Sequence, residues 1–288
     1  MALEDPAHRI RKELAEPIVR YVQEPAARPL VYAFKETPVT PNQVTALSAL
    51  LAIGAAYLFS LGETRAMIQG GIIFEISLIL DSVDGELARA KGLASEWGRI
   101  VDGIGDYVSS IAVLIGLMIG LPDSQGALIF MALLIFLRGV TFDYFKESMM
   151  NRIKHGYDGP QRDIHKTYEK MTRSPSLILK VYFYYLQFQQ WLFRGTWTSP
   201  DRYPSTREGR TAEDPWPEQQ RWNYYREKRG LIALWKWNGP DLIFFLMALF
   251  SCFAVLENYV YWLSVFMLIQ MLATFTLHHY LIRNEKNS

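Results

Sequence analysis

The 288-residue sequence has one cysteine, five histidines and few charged residues, and each scarcity narrows what the protein can be. Cys252 has no second cysteine to pair with, so an intramolecular disulfide is excluded and cysteine usage indicates no compartment. The net charge of +1 does not favour nucleic acid, and we expect no such partner. The N-terminal stretch lacks an apolar segment ending in small residues, so we expect no signal peptide.

Apolar residues, in contrast, make up 50% of the chain and cluster in long runs. A helix needs about 20 such residues to cross the hydrocarbon core of a bilayer. The runs that approach this length are Val44–Leu61, Ala66–Leu80 continuing as helix to Ala90, Ile104–Leu121, Ala127–Tyr144, Leu242–Leu256 and Tyr259–Leu281. The sequence therefore predicts an all-α integral membrane protein with six transmembrane helices.

Basic residues are concentrated on one side of these predicted spans. The connections "LGETR", "LPDSQG" and "LENY" contain almost no lysine or arginine, whereas the N-terminus and the segment after the fourth span contain many. Because positively charged loops stay in the cytoplasm, both termini and that later segment are predicted to be cytoplasmic. Residues 6–36 have an apolar residue at every fourth position from Ile10 to Val22, which predicts a cytoplasmic amphipathic juxtamembrane helix before the first span.

These features divide the chain into four predicted segments. Residues 1–40 form the juxtamembrane segment, 41–146 hold transmembrane helices one to four, 147–238 form an aromatic and basic insertion, and 239–288 contain the last two helices and a C-terminal tail. Within the insertion, the apolar stretch 177–193 is interrupted by Lys180 and three glutamines. We therefore predict a helix lying at the membrane interface there, not a seventh span.

Four aspartates lie where charge is expensive, at the end of the second predicted span and the start of the third. Asp81 and Asp84 are one helical turn apart, and so are Asp102 and Asp106. The short connection "KGLASEWG" makes the two helices antiparallel neighbours, so the four carboxylates converge near the cytoplasmic side. Their repulsion grows in a low dielectric, and a bound cation relieves it. No histidine or cysteine is nearby, and ligation by oxygen alone predicts Mg²⁺ or Mn²⁺.

The spacing of these residues resembles a known signature. The stretch "DSVDGELARAKGLASEWGRIVDGIGD" matches D-x2-D-G-x2-A-R-x8-G-x3-D-x3-D, the signature of the CDP-alcohol phosphotransferase (CDP-alcohol phosphatidyltransferase) family, at every fixed position. The fixed positions are Asp81, Asp84, Gly85, Ala88, Arg89, Gly98, Asp102 and Asp106. Enzymes of this family transfer a substituted phosphate from a CDP-alcohol donor to the hydroxyl of an acceptor alcohol and release CMP.

The resemblance implies a role for each matching residue. Two divalent ions would be bound by Asp81, Asp84, Asp102 and Asp106. Asp106 would also act as the catalytic base that takes the proton from the acceptor hydroxyl. The nucleotide part of the donor would be bound by Asn42, Thr45, Gly85, Arg89 and Ser95. Membrane lipids and a second copy of the chain, in a homodimer, are the further partners that the resemblance implies.

Alternatives stay open from the residues alone. One alternative is that the aspartates only cap transmembrane helices. A second is that Asn42 and Thr45 only cap the first span. An ion or solute transporter is the alternative from a different functional class. The signature names neither alcohol: CDP-diacylglycerol with a small acceptor is our first expectation, ahead of a small CDP-alcohol of choline, ethanolamine or inositol type with a lipid or inositol-phosphate-like acceptor.

Other charged residues lie outside the signature. Arg138 is deep in the fourth predicted span and Glu75 lies at a similar depth in the second, so we predict an ion pair between them in preference to acceptor binding by Arg138. Basic residues after the fourth span are expected to face solvent or lipid headgroups rather than an acceptor. These residues are Arg152, Lys154, Arg162 and Lys166.

Overall fold

The computed structural model describes residues 10, 12–93, 96–197 and 216–285, with the backbone alone for 96–104 and 282–285. This part of the chain is helical and contains no strand, which confirms the predicted all-α class. Its named α-helices are α1 Glu24–Lys35, α2 Pro41–Ser60, α3 Thr64–Ala90, α4 Glu96–Gly120, α5 Gln125–His155, α6 Gly159–Arg173, α7 Leu177–Arg194, α8 Glu218–Trp235, α9 Asp241–Cys252 and α10 Leu256–Glu285. A π-helical turn, Val19–Gln23, precedes α1, and a 3-10 turn, Pro122–Ser124, precedes α5.

Four helices of the described chain are long and apolar enough to cross a membrane. They are α2, α3, α5 together with its preceding turn, and the Leu256–Leu281 part of α10. Two further helices are apolar but shorter, namely α9 and the Gly105–Gly120 part of α4. The side chains of α4 before residue 105 lie outside the described part. These helices support membrane character, and the number of six spans stays a prediction.

The turn between the last two helices lies earlier than the hydropathy pattern predicts. α9 ends at Cys252, and α10 begins at Leu256. Between them Ala254 adopts the left-handed conformation with a φ of 54°. The Val255 N–H donates to the Phe250 carbonyl at 2.9 Å, which is the closing bond of a Schellman turn. Because glycine usually takes this position, a turn centred on alanine leaves no local signal in the sequence.

The predicted amphipathic helix over residues 6–36 is not continuous. Helical backbone is interrupted at Ala15 and Glu16 and resumes at Pro17. Proline disfavours the helical conformation in the residue that precedes it, which explains the break. The π-helical turn and α1 follow, and the cytoplasmic position of this segment stays a prediction.

The chain forms two compact units. The first, here called the signature unit, consists of Glu16–Phe136 and Pro240–Ala273. The second, here called the insertion unit, consists of Met1–Ala15, Leu137–Gly239 and Thr274–Ser288. The predicted division at residues 40, 146 and 238 stays a prediction.

Helices α4 and α2 approach each other closely in the core of the signature unit. Gly116 and Gly120 of α4 face the main-chain carbonyls of Ala56 and Phe59, so closely that neither glycine has space for a Cβ. Ala56 and Phe59 are themselves buried and belong to one apolar cluster with Leu117. Glycine and alanine at a helix interface allow two backbones to approach closely, which fixes how α2 and α4 pack.

Replacing Gly116 by alanine is expected to destabilise the protein by about 1–3 kcal/mol, as overpacked cores commonly do. The added methyl group would collide with the Ala56 backbone. Thermal unfolding of the purified full-length protein measures the effect. Gly54→Ala in α2 is the matched control, because nothing lies within 4 Å of a Cβ added there and alanine favours the helix. Equal stability of the two variants would contradict this packing.

The insertion unit has a separate aromatic core. Trp235 of α8 is fully buried, and its ring stacks on Phe145 with the centroids 5.0 Å apart. Its Nε1 donates to Nδ1 of His278 at 3.0 Å, so the buried indole N–H is satisfied. Ile10 and Leu14 pack into the same cluster and are inaccessible to solvent. The aromatic composition of the insertion is thus used, in part, to build a core.

Candidate active site

The N-terminus of α2 is fixed by a capping box. Thr40 Oγ1 accepts a hydrogen bond from the Gln43 N–H at 3.4 Å, and Gln43 Oε1 accepts one from the Thr40 N–H at 2.9 Å. Pro41 takes the first helical position, where a missing N–H has no consequence. Asn42 is therefore an exposed residue of the first turn and does not cap the helix. This removes the capping alternative for Asn42 and for Thr45.

Thr45, one turn further along α2, contacts both of the helices that carry the signature. Its Oγ1 donates to Oδ2 of Asp84 on α3 at 2.6 Å. Its Cγ2 lies 3.7 Å from the position that a Cβ would take at Gly105 on α4. Gly105 directly precedes Asp106. One side chain thus touches a candidate metal ligand and the backbone position beside the candidate catalytic residue.

The signature residues of α3 lie on its last turns. Asp84 is only 4% exposed, and Asp81, one turn earlier, is partly buried. Arg89 is exposed, and its Nη1 lies 3.4 Å from the position that a Cβ would take at Gly85. The guanidinium of Arg89 therefore lies back along α3 toward Gly85. Of these predicted site residues, the structure joins Thr45 to Asp84 by a hydrogen bond and places the guanidinium of Arg89 near Gly85.

On α4, Asp106 is exposed. Ser95 and the side chain of Asp102 lie outside the described residues. Among the side chains that are described, no three Asp, Glu, His or Cys groups are close enough to hold a metal ion, so the four-carboxylate site stays a prediction. The donor chemistry fits a hard divalent cation, because Asp81, Asp84 and Asp106 supply carboxylate oxygens alone.

Comparison with protein families identifies the chain. The model of the CDP-alcohol phosphatidyltransferase family matches residues 38–198, which is more than half of the 288-residue chain. The chain belongs to the CDP-alcohol phosphatidyltransferase family. The match contains the whole signature and α2, so the resemblance inferred from eight spaced residues is confirmed. Membership favours an enzyme over a transporter.

Curated relatives within the family match shorter stretches. An archaetidylinositol phosphate synthase of Pyrococcus horikoshii is 38% identical over 82 residues, which cover 28% of this chain and 42% of the relative. A bifunctional IPC transferase and DIPP synthase of Thermococcus kodakarensis is 40% identical over 112 residues, 38% of this chain and 24% of the relative. A phosphatidylinositol phosphate synthase of Mycolicibacterium smegmatis is 32% identical over 92 residues, 32% of this chain and 40% of the relative. The matched region thus spans less than half the length of these relatives.

Lys91 is a residue beside the candidate site that sequence reasoning missed. It follows α3 directly, and its Nζ donates to the carbonyls of Thr37 and Val39 at 2.7 and 2.6 Å. Those carbonyls belong to the segment that leads into α2. A charged donor thereby ties the end of α3 to the segment that precedes Asn42. No sequence signal marks this role, because main-chain carbonyls carry no side-chain identity.

Replacing Lys91 by methionine is expected to raise the KM for the donor about tenfold with little change in kcat, because hydrogen bonds from a charged group contribute about 1.5–3 kcal/mol. Lys91 acts by positioning α2, so arginine at the same position is expected to restore most of the donor affinity. Steady-state CMP release at varied donor concentration measures the effect. The control is Lys35→Met, since Lys35 pairs at 3.9 Å with its exposed neighbour Glu36. A matching loss in Lys35→Met would contradict the assignment.

Gln23 is a second neighbour of the site. Unlike Lys91, it lies outside the residues that match the family. It ends the π-helical turn and is 3% exposed. The hydroxyl of Ser82, between the two aspartates of α3, donates to its Oε1 at 3.4 Å. Ala27 of α1 packs with Val83 and Leu87 of α3 in one buried cluster. The segment before α2 therefore covers part of α3 beside the signature.

Arg138 of α5 is held by main-chain carbonyls of the insertion unit. Its guanidinium is buried within the insertion unit and donates to the carbonyls of Trp237 at 2.8 Å and Asn238 at 3.3 Å. In the signature unit, Oε2 of Glu75 is buried and has no hydrogen-bond partner among the described residues. The predicted ion pair between Glu75 and Arg138 stays a prediction. Main-chain carbonyls stabilise the arginine, and hydropathy cannot reveal them.

The basic side chains after α5 have different surroundings. Lys154, Arg162 and Lys166 are exposed, as expected for a solvated or headgroup-facing surface. Arg152 is not: its Nη2 donates to Oδ2 of Asp158 at 2.7 Å, and its side chain is 20% exposed. Arg152 is therefore a structural partner of a buried carboxylate.

Proposed function

We propose that this protein transfers a substituted phosphate from a CDP-alcohol to the hydroxyl of a second alcohol and releases CMP. The observation that carries the proposal is the 2.6 Å hydrogen bond from Thr45 to Asp84. It joins the predicted nucleotide-binding end of α2 to the acidic face of α3, inside the region that matches the family. A nucleotide diphosphate bound there would lie near a predicted nucleotide-binding residue, Thr45, and a predicted metal ligand, Asp84.

The residues of this site would bind the donor in the following way. Asn42, Thr45 and Ser95 bind the nucleotide, and the planar donor fork of Arg89 binds phosphate oxygens. Gly85 leaves the face of α3 open beside that guanidinium. Asp81, Asp84, Asp102 and Asp106 would hold two divalent ions, Mg²⁺ or Mn²⁺, which would neutralise the charge of the diphosphate.

Asp106 would act as the general base. Its carboxylate accepts the proton of the acceptor hydroxyl, and the hydroxyl oxygen forms a bond to the phosphorus that carries the donor alcohol. The bond between that phosphorus and the oxygen of CMP breaks, and CMP leaves with the electron pair. Asp106 is exposed, which suits a group that must reach a second substrate.

We propose CDP-diacylglycerol as the donor. Two of the relatives are named as synthases of lipids that carry inositol phosphate, and such a product combines a lipid donor with a soluble phosphorylated acceptor. A small CDP-alcohol donor is the alternative. We retain this alternative because two relatives are named as bifunctional IPC transferase and DIPP synthase. We place the reaction in phospholipid biosynthesis on the same grounds.

We also propose an integral membrane homodimer whose active site faces the cytoplasm. The four helices of spanning length support the membrane position. The scarcity of lysine and arginine in the turns opposite the signature supports the orientation. The homodimer rests on family resemblance alone, and the molecular mass of the purified protein in detergent tests it.

CMP release from the purified full-length protein tests the proposed activity. The donors are CDP-diacylglycerol, CDP-choline and CDP-inositol, each offered with inositol phosphate, inositol, glycerol phosphate or diacylglycerol in the presence of Mg²⁺ or Mn²⁺. Release of CMP with CDP-diacylglycerol and a soluble acceptor supports our first proposal. Release with a small CDP-alcohol alone supports the alternative donor. No CMP with any pair would overturn the proposed activity.

A further inference from the structure

Helix α7 of the insertion unit has an apolar stripe that is exposed at four of its five positions and partly buried at Phe188. Its members recur at intervals of three or four residues and so lie on one face of the helix. They are Leu177, Val181, Tyr184, Phe188 and Trp191. Leu177, Val181 and Tyr184 are 77%, 61% and 63% exposed. An exposed apolar face of this length on a soluble surface would be unusual.

The opposite face of α7 is buried and partly polar. Phe183 and Leu186 pack there with Ile164 of α6. Gln187 and Gln190 lie on the same buried side and are each 2% exposed. Water outside the helix would favour the reverse arrangement, with glutamine exposed and leucine, valine and tyrosine buried. The distribution indicates that the medium outside α7 is less polar than the protein interior beside it.

The charges and aromatic residues of α7 favour a lipid headgroup region as that medium. The helix has no acidic residue, and its charged residues are Lys180 and Arg194. The stripe contains tyrosine and tryptophan, which concentrate at the boundary between hydrocarbon and water. Arg194 pairs with Asp158, so the exposed Lys180 is the charge of α7 that anionic headgroups would attract.

Its length and composition favour lying on the membrane over crossing it. α7 is not among the four described helices that are long and apolar enough to span. Lys180 interrupts its first turns, and the buried glutamines occupy its second half. An amphipathic helix of this kind buries its apolar face in the boundary between headgroups and acyl chains.

We propose that α7 lies along the membrane surface, with the stripe from Leu177 to Trp191 in the lipid interface and the glutamine face against the insertion unit. Sequence reasoning predicted an interfacial helix, and the side-chain positions assign the face that lipid contacts. The proposal concerns a lipid-binding surface outside the family signature and does not depend on the proposed reaction.

Depth measurements on single labels test the proposal. In a full-length Cys252→Ser background, cysteine replaces Leu177, Tyr184 or Trp191, is labelled with an environment-sensitive fluorophore, and the protein is reconstituted into vesicles of phosphatidylcholine and phosphatidylglycerol. Leu177 and Trp191 are 14 positions apart, or about 21 Å along a helix. A helix lying on the surface gives strong quenching by shallow lipid-borne quenchers at all three positions, and equal depths. Lys170→Cys, at an exposed position of α6, is the control and is expected to show weak quenching.

Three outcomes would overturn the proposal. A steady increase in depth from one end of the stripe to the other means that α7 crosses the bilayer. No quenching by lipid, with label signals that change with protein concentration, means that a second copy covers the stripe. No quenching and no concentration dependence means that another segment of the same chain covers it. Each labelled variant must unfold at the temperature of the Cys252→Ser parent, which excludes misfolding as the cause.

Discussion

Asp106→Asn is expected to lower the rate of CMP release by about 10³-fold while leaving nucleotide binding largely intact. General-base catalysis contributes typically about 10²–10⁴-fold, and asparagine removes the proton acceptor while keeping the shape of the side chain. Because Asp106 is exposed, the substitution is expected to cost little stability. The contact between Thr45 and Asp84 does not involve position 106, so the donor site stays assembled.

Two measurements separate these effects. Single-turnover CMP release gives the rate of the chemical step, and titration of bound nucleotide gives its Kd. Asp123→Asn is the matched control, because Asp123 is an exposed aspartate of the 3-10 turn outside the signature. Asp106→Asn with near-wild-type turnover would remove Asp106 as the base. Loss of nucleotide binding together with turnover would instead make Asp106 chiefly a donor-binding residue.

The parts of this site that sequence predicted well depend on local spacing. Asp81 and Asp84 are one turn apart on α3 because helical periodicity fixes the distance between residues of one helix. The first span was predicted from Val44, and the helix begins at Pro41, so hydropathy located this helix to within one turn. Such features need only a few neighbouring residues for their prediction.

The parts that sequence could not predict depend on contacts between distant segments. Thr45 and Asp84 are 39 positions apart, and nothing in either neighbourhood indicates their hydrogen bond. The depth of Arg138 along its span does not indicate which main-chain carbonyls its guanidinium contacts. The carbonyls that Arg138 contacts lie about 100 positions away. Lys91 was missed for the same reason.

Asp158→Asn is expected to destabilise the insertion unit by about 3 kcal/mol, the lower end of the cost of breaking a buried ion pair, since both of its arginine partners are partly exposed. Oδ2 of Asp158 accepts hydrogen bonds from Nη2 of Arg152 at 2.7 Å and Nη2 of Arg194 at 2.6 Å. Oδ1 accepts the Gln161 N–H at 3.4 Å and caps α6. The carboxylate therefore joins α5, α6 and α7, and its loss leaves two guanidinium groups without their shared partner.

The carboxylate of Asp158 also makes the stability of the protein depend on pH. Burial alone would raise the pKa of Asp158, but Arg194 and Arg152 outweigh burial and hold it below the ordinary value of 3.8. Because the folded pKa is the lower one, the stabilisation is fully present above the ordinary value and is lost as pH falls through the folded pKa. The difference in unfolding temperature between wild type and Asp158→Asn is therefore expected to be largest at neutral pH and to shrink below about pH 4.

Asp163→Asn provides a control, because the pKa of Asp163 is shifted in the opposite direction to that of Asp158. Burial and the nearby Glu147 raise the pKa of Asp163, so ionisation of this carboxyl group opposes folding as pH rises through its unfolded pKa. Asparagine at position 163 is therefore expected to be neutral or stabilising at pH 7, whereas asparagine at position 158 is strongly destabilising. Thermal unfolding followed by tryptophan fluorescence from pH 3 to pH 8 compares the two variants with wild type. Parallel curves for wild type and Asp158→Asn across this range would show that the arginines do not depend on the charge of Asp158.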